Sequence, residues 1–223
     1  MSVVASHRES HRRRTAEPLR RARMAQLPIV GLFGGATRLA PERAALAHEV
    51  GVLVALLGAH LLTASSYAVN ATAADGFASV AGRSGICIGN LPRGFDGAVD
   101  KASSGDGTPI RNVELAIFTI VPDVERAADS ARLQRLNFLT SNAIVVLPGN
   151  DWIPGELRLR AKRDGAAGDT PAQGRTILVG PSEEFAPELR SIFLQVPTAA
   201  AAEAPLCRML EDQRFVLETA RPT

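Results

Sequence analysis

The chain has 223 residues, 46% hydrophobic and 22% charged, with a formal net charge of +2; this is the balance of a globular domain, not of a disordered, collagen-like or membrane-embedded chain. Cys87 and Cys207 lie far apart, with no CxxC and no Cys/His cluster, which excludes a disulfide scaffold and a zinc module and fits a reducing, cytoplasmic setting. Seven arginines and two glutamates fall within residues 1–23, so the rest of the chain is net −3 and the basic character belongs to this tail.

The tail has almost no large apolar side chains to offset the entropy of ordering, and it is expected to be disordered. It reads as an Arg-rich arm, the one place where nucleic acid would bind, as an Arg-rich targeting peptide, or as an extension upstream of a true start at Met24. Residues 24–217 are expected to form the folded domain, and 218–223 a flexible C-terminus. The most apolar stretch, Val50–Leu62, falls short of the roughly 20 residues a membrane-spanning helix needs.

Leu27–Phe33 (LPIVGLF) is a continuous apolar run opening into Gly34-Gly35, the pattern of a buried parallel strand. From Pro41 to Leu57, Leu46, Val50, Leu53, Val54 and Leu57 recur at helical spacing, with Pro41 in a first turn and Gly58 at the C-terminal cap. His60–Thr63 reads as a second strand, about Val69–Val80 as a helix, and Ser84–Ile88 as a third strand with Cys87 near its carboxyl end. Gly89–Gly107, rich in Gly, Pro, Ser and Asp, is expected to be a loop.

Val113–Ile120 is predicted as a strand, Pro122–Leu139 as a helix and Ala143–Leu147 as a buried strand running into Pro148-Gly149. Pro154–Asp164 reads as a helix, Gly165–Gly174 as a surface loop, Arg175–Val179 and Ile192–Val196 as strands, and Ala199–Phe215 as a closing helix. Strands alternating with helices predict a single α/β, Rossmann-like three-layer domain, its sheet mostly parallel and covered by helices on both faces.

In such sheets ligands bind at the carboxyl ends of the strands, where strand order reverses. The first turn does not read GxGxxG, and no GxxxxGK[ST] occurs, which counts against a dehydrogenase and a P-loop NTPase. Gly34, Gly35 and Ala36 still leave backbone N–H groups open to an anion. Thr63, Ala64, Ser65 and Ser66 place hydroxyls and amides before a helix, as a phosphate site or simply as caps. In AIVVLPGNDWIPGE, Pro148, Gly149 and Asn150 form a rim, and Glu156 falls in a first helical turn, where a carboxylate also suits the helix dipole. The preceding helix carries Arg126, Arg132, Arg135 and Asn137, from which one or two arginines would reach a phosphate. No metal-ligand set is present.

The succession LPIVGLFGGA, GAHLLTASSYAVNATAADGF, GICIGNLPRG and SARLQRLNFLTSNAIVVLPGNDWIPGE resembles the SLOG superfamily, which includes the LONELY GUY-type phosphoribohydrolases, labelled lysine decarboxylase-like, and the molybdenum cofactor carriers. The resemblance runs from Leu27 to Val179. Against the hydrolase signature PGGxGTxxE, Pro148, Gly149 and Glu156 match, while Asn150, Trp152 and Ile153 replace Gly, Gly and Thr. Against the carrier pattern Arg-Asn-x-x-Asn, Asn137 matches, Gln134 and Leu133 do not, and Arg132 is one residue out, about 100° around the helix.

The resemblance implies binding of a small phosphorylated, nucleotide-like ligand, a nucleotide or a molybdopterin-type molecule, with no cofactor required, by a degenerate member of the superfamily. It leaves two alternatives. One is hydrolysis of a nucleoside 5′-monophosphate such as AMP or a cytokinin ribotide, with Glu156 and Arg132 catalytic. The other is a structural or interaction subunit whose Trp152 and Ile153 plug the cleft. Homodimer pairing through helices around Val124–Leu139 and Pro154–Asp164 is implied as well.

Overall fold

The computed structural model describes residues 27–34, 39–64, 68–93, 103–104, 108–109, 111–120, 135–149 and 174–219. The expectations for residues 1–23 and 218–223 as separate segments, for the loop Gly165–Gly174, and for the helix Pro154–Asp164 fall wholly or mostly outside these residues. Seven strands form one all-parallel sheet: β1 (Ile29–Phe33), β2 (His60–Ala64), β3 (Cys87–Arg93), β6 (Leu115–Ile120), β7 (Ala143–Val146), β8 (Thr176–Val179) and β9 (Leu194–Val196). Their order is β6-β3-β2-β1-β7-β8-β9. The fold is α/β and Rossmann-like, with helices on both faces of the sheet.

The strand pattern explains the layering. In β1, Val30 and Leu32 face one way and Phe33 the other, and each set is buried, as a central parallel strand requires. On the first face lie α1 (Pro41–Leu56), α2 (Ala68–Ser79) and α5 (Ala199–Thr219), whose Val50, Val54, Val69, Phe77, Ala202 and Leu206 complete a single core with Val30, Leu32, Leu61, Val145 and Ile177. On the second lie α3 (residues 135–140) and α4 (Pro187–Ile192), where Phe138, Leu189 and Phe193 pack with Phe33, Ile144, Val146 and Leu178. Among the described residues no helix is long and apolar enough to cross a membrane.

Local chemistry sets the element ends. Pro41 stands in the first turn of α1 with Glu42 beside it, where a missing N–H costs nothing and a carboxylate meets the helix dipole. Gly58 follows the helix at φ +66°, the left-handed position that terminates helices. The Ala201 N–H donates to Thr198 Oγ1 at 3.2 Å, capping α5. At the end of α2, Arg83 donates to the carbonyls of Ala78 and Val80, pairs with Glu114 at 3.1 Å and lies over the Phe77 ring.

Three expectations need correction. Gly89–Gly107 is not one loop: β3 continues to Arg93, and Ser103–Ser104 (β4) pairs antiparallel with Thr108–Pro109 (β5). Among the described residues β2 stops at Ala64, opposite Asn90, and Leu91–Arg93 pair only with β6; a strand tolerates proline on a side that has no ladder bond to make, so Pro92 does not end it. The short helix α4 precedes β9, so the last strand begins at Leu194, not Ile192. Cys87 opens β3 at its amino end instead of standing near its carboxyl end.

Candidate functional site

The strand order reverses between β1 and β7. From β1 the chain passes through α1 to β2 and on toward the β6 edge, whereas from β7 it passes to β8 and β9 on the other side. The two adjacent strands therefore lead to opposite sides of the sheet, and open α/β sheets bind ligands in the crevice at the carboxyl ends of such a pair.

Gly34 occupies one side of this crevice. A Cβ there would stand 2.9 Å from Val69 Cγ1 and 3.1 Å from Leu147 Cβ, so the β1 turn, the start of α2 and the end of β7 meet at a point with room for backbone only. The Leu147 N–H donates to the Phe33 carbonyl at 2.7 Å, continuing the ladder to the rim. Opposite, Pro148 is buried and Gly149 is exposed at φ +101°, a conformation that L side chains rarely adopt. Pro148 rests against Gly180, which directly follows β8.

Asn137 lies on α3, on the face of the sheet that Phe33 and Phe138 share. It is buried, and its Oδ1 accepts from Asn90 Nδ2 at 2.6 Å across to β3. Ser141 Oγ donates to the Asn137 carbonyl at 2.7 Å, Phe138 stacks on Phe33 with ring centroids 4.2 Å apart, and Asn142 Oδ1 accepts from the Ile29 N–H at 2.8 Å. The helix carrying Asn137 is thereby tied to β1 and β3 at once. Asn90 falls in the segment Gly89–Gly94 that stands at a strand's carboxyl end, but the sequence does not single it out, because Gly89 and Pro92 on either side read as a loop; a polar residue in phase with Ile88 is the signal available.

The remaining sequence candidates divide. Thr63 is fully buried, its hydroxyl donating to the Ile88 carbonyl at 3.4 Å; it ties β2 to β3 on the face opposite Asn137. Ala64 is the last residue of β2. Gly35, Ala36, Ser65, Ser66 and Asn150 lie outside the described residues, as do Arg126, Arg132, Trp152, Ile153 and Glu156. Arg135 is exposed on α3. No cluster of three or more His, Cys, Asp or Glu occurs among the described residues.

Cys87 is sealed at the other end of the sheet. Burial pushes its thiol up to about 12; the Glu114 carboxylate pushes the same way, and the Thr63 hydroxyl and Arg83 pull it down. Because the thiolate is the nucleophile, Cys87 is expected to stay unmodified when the native protein is treated with iodoacetamide at about pH 8, while half-buried Cys207 on α5 is alkylated. Peptide mass mapping before and after denaturation checks this, and rapid native labelling of Cys87 would contradict its burial.

No family model matches the chain, and no curated protein matches it by sequence. Solved structures do match. The molybdenum cofactor carrier protein of Chlamydomonas reinhardtii superposes with a TM-score of 0.56 at 20% identity, covering 83% of this chain and 99% of its own. A second structure of that carrier gives 0.58 at 24% identity over 83% and 99%. The molybdenum cofactor binding protein of the phototrophic bacterium Rippkaea orientalis gives 0.56 at 22% over 85% and 98%. At these identities the chain shares with the carriers their fold, over nearly their whole length.

Proposed function

We infer that the chain binds a small phosphorylated ligand of nucleotide or molybdopterin type in the crevice between β1 and β7. The observation that carries this reading is Gly34, wedged between Val69 and Leu147 at the strand-order reversal, with Gly149 at positive φ on the facing turn. Such turns bring backbone N–H groups close to an anion without a side chain between. Likeness in fold to proteins that carry or bind the molybdenum cofactor favours a pterin-containing ligand. One observation on the chain's own residues suits such a group: Asn137 holds a buried amide nitrogen without a hydrogen-bond partner.

Binding is expected to raise the melting temperature. At a hundredfold excess over Kd a ligand contributes about 2.7 kcal/mol, a rise of roughly 5–11 °C for a chain of this size. Thermal-shift and calorimetric titration with AMP, GMP and molybdopterin extracted from a molybdoenzyme test the reading, with guanosine as the control lacking phosphate. No shift with any phosphorylated probe, or an equal shift with guanosine and GMP, would defeat it.

A further inference from the structure

Asn90 and Asn137 are two amides buried between β3 and α3, 6% and 1% exposed. An Asn side chain has one oxygen that only accepts and one nitrogen that only donates. Asn90 Nδ2 donates to Asn137 Oδ1, so the oxygen of Asn137 is engaged and its nitrogen is turned away. That Nδ2 has no hydrogen-bond partner. A buried donor left unmade is costly, and a pair serving only to hold α3 would avoid it.

Its place in the sheet matters. Asn90 stands in register with Ala64, the last residue of β2, and so is level with the carboxyl end of that strand, although β3 itself runs on to Arg93. It is two strands from β1, roughly 10 Å at the usual strand spacing. That interval, from β1 to the strand that carries Asn90, is about the reach of a phosphorylated heterocycle from its anionic group to its ring.

We propose that Asn90 is a positioning residue that locks the Asn137 amide with its N–H donors free for the ligand, and that the pair selects a ring bearing an oxo acceptor, as in 4-oxopterins and 6-oxopurines, over a ring presenting an amino donor. This rests on the ligand-binding reading above and names the chemistry the same site prefers. Without Asn90 the Asn137 amide is free to rotate and present its oxygen, so discrimination is lost before binding is.

The test compares calorimetric Kd values for GMP, neopterin monophosphate and AMP. At least one of the two oxo ligands is expected to bind the unmodified protein about tenfold more tightly than AMP, and which of them does so distinguishes a purine from a pterin site. In Asn137→Leu and in Asn90→Leu the preference falls to within about twofold while AMP binding persists. The double variant Asn90→Leu/Asn137→Leu removes both partners together, keeps its melting temperature and shows the same loss of preference, so it serves if a single variant fails to fold. Equal binding of oxo and amino ligands by the unmodified protein, or a preference that survives in Asn90→Leu or in the double variant, overturns the inference alone. Failure of all three ligands to bind overturns the ligand-binding reading and this inference with it.

Discussion

Gly51→Val is expected to destabilise the fold by about 3 kcal/mol or more, a fall of roughly 6–12 °C in Tm for a chain of this size. A side chain added at Gly51 of α1 would run into the backbone of Ala73 and Phe77 on α2, and one added at Gly76 of α2 into the backbone of His48 on α1. The two glycines thus let the helices cross in mutual backbone contact, and the atoms met are backbone, which cannot rotate aside. In an exposed helix interior, replacing Gly by Ala gains about 1 kcal/mol; here the collision decides the sign. Gly76→Val is expected to behave alike. Gly58→Asn supplies the contrast, since Gly58 has φ +66° and open space around it, and Asn tolerates that conformation; its cost is expected to stay below about 1 kcal/mol. Urea unfolding of the three variants checks this, and an unchanged midpoint for Gly51→Val would mean the helices do not cross in this way.

The same glycines show what the sequence makes legible and what it hides. Ile29–Phe33, Pro41–Leu56 and Ala143–Val146 match their predicted elements within one or two residues, because continuous apolar runs and helical spacing record which faces are buried. Gly51 inside α1 reads only as a poor helix former; its reason lies in Ala73 and Phe77, more than twenty residues along the chain. Pro187–Ile192 leaves no sequence signal because six residues are too few to show a period. Local turn chemistry at Gly89 reads as the end of β3, and the sheet overrides it by pairing Leu91–Arg93 with β6. The crevice is legible through two strands that open into glycine turns at Gly34 and Gly149. The partner of Asn137 is not, since Asn90 stands in the segment whose composition reads as a loop.

Phe138→Ala is expected to couple stability to ligand binding. Phe138 is buried and stacks on Phe33 within a core shared with Ile144, Val146 and Leu178. Truncating a buried Phe to Ala costs about 3–5 kcal/mol, on the order of 10 °C in Tm, a large share of the stability of an ordinary domain. The loss falls on α3, which carries Asn137 one residue before Phe138 and is held to β1 by this stack. Once the ring is gone, α3 loses its stacked contact with β1, and a helix displaced by about 1 Å no longer presents a donor to a ring fixed by its phosphate. Affinity for the preferred oxo ligand is therefore expected to fall at least tenfold at a temperature where the variant is still folded, whereas Phe138→Leu, closer in volume, retains most of both properties. Circular dichroism melts and calorimetric titration of the same preparations measure the two effects together. A Phe138→Ala protein that melts lower yet binds with unchanged affinity would show that the placement of α3 does not govern the site.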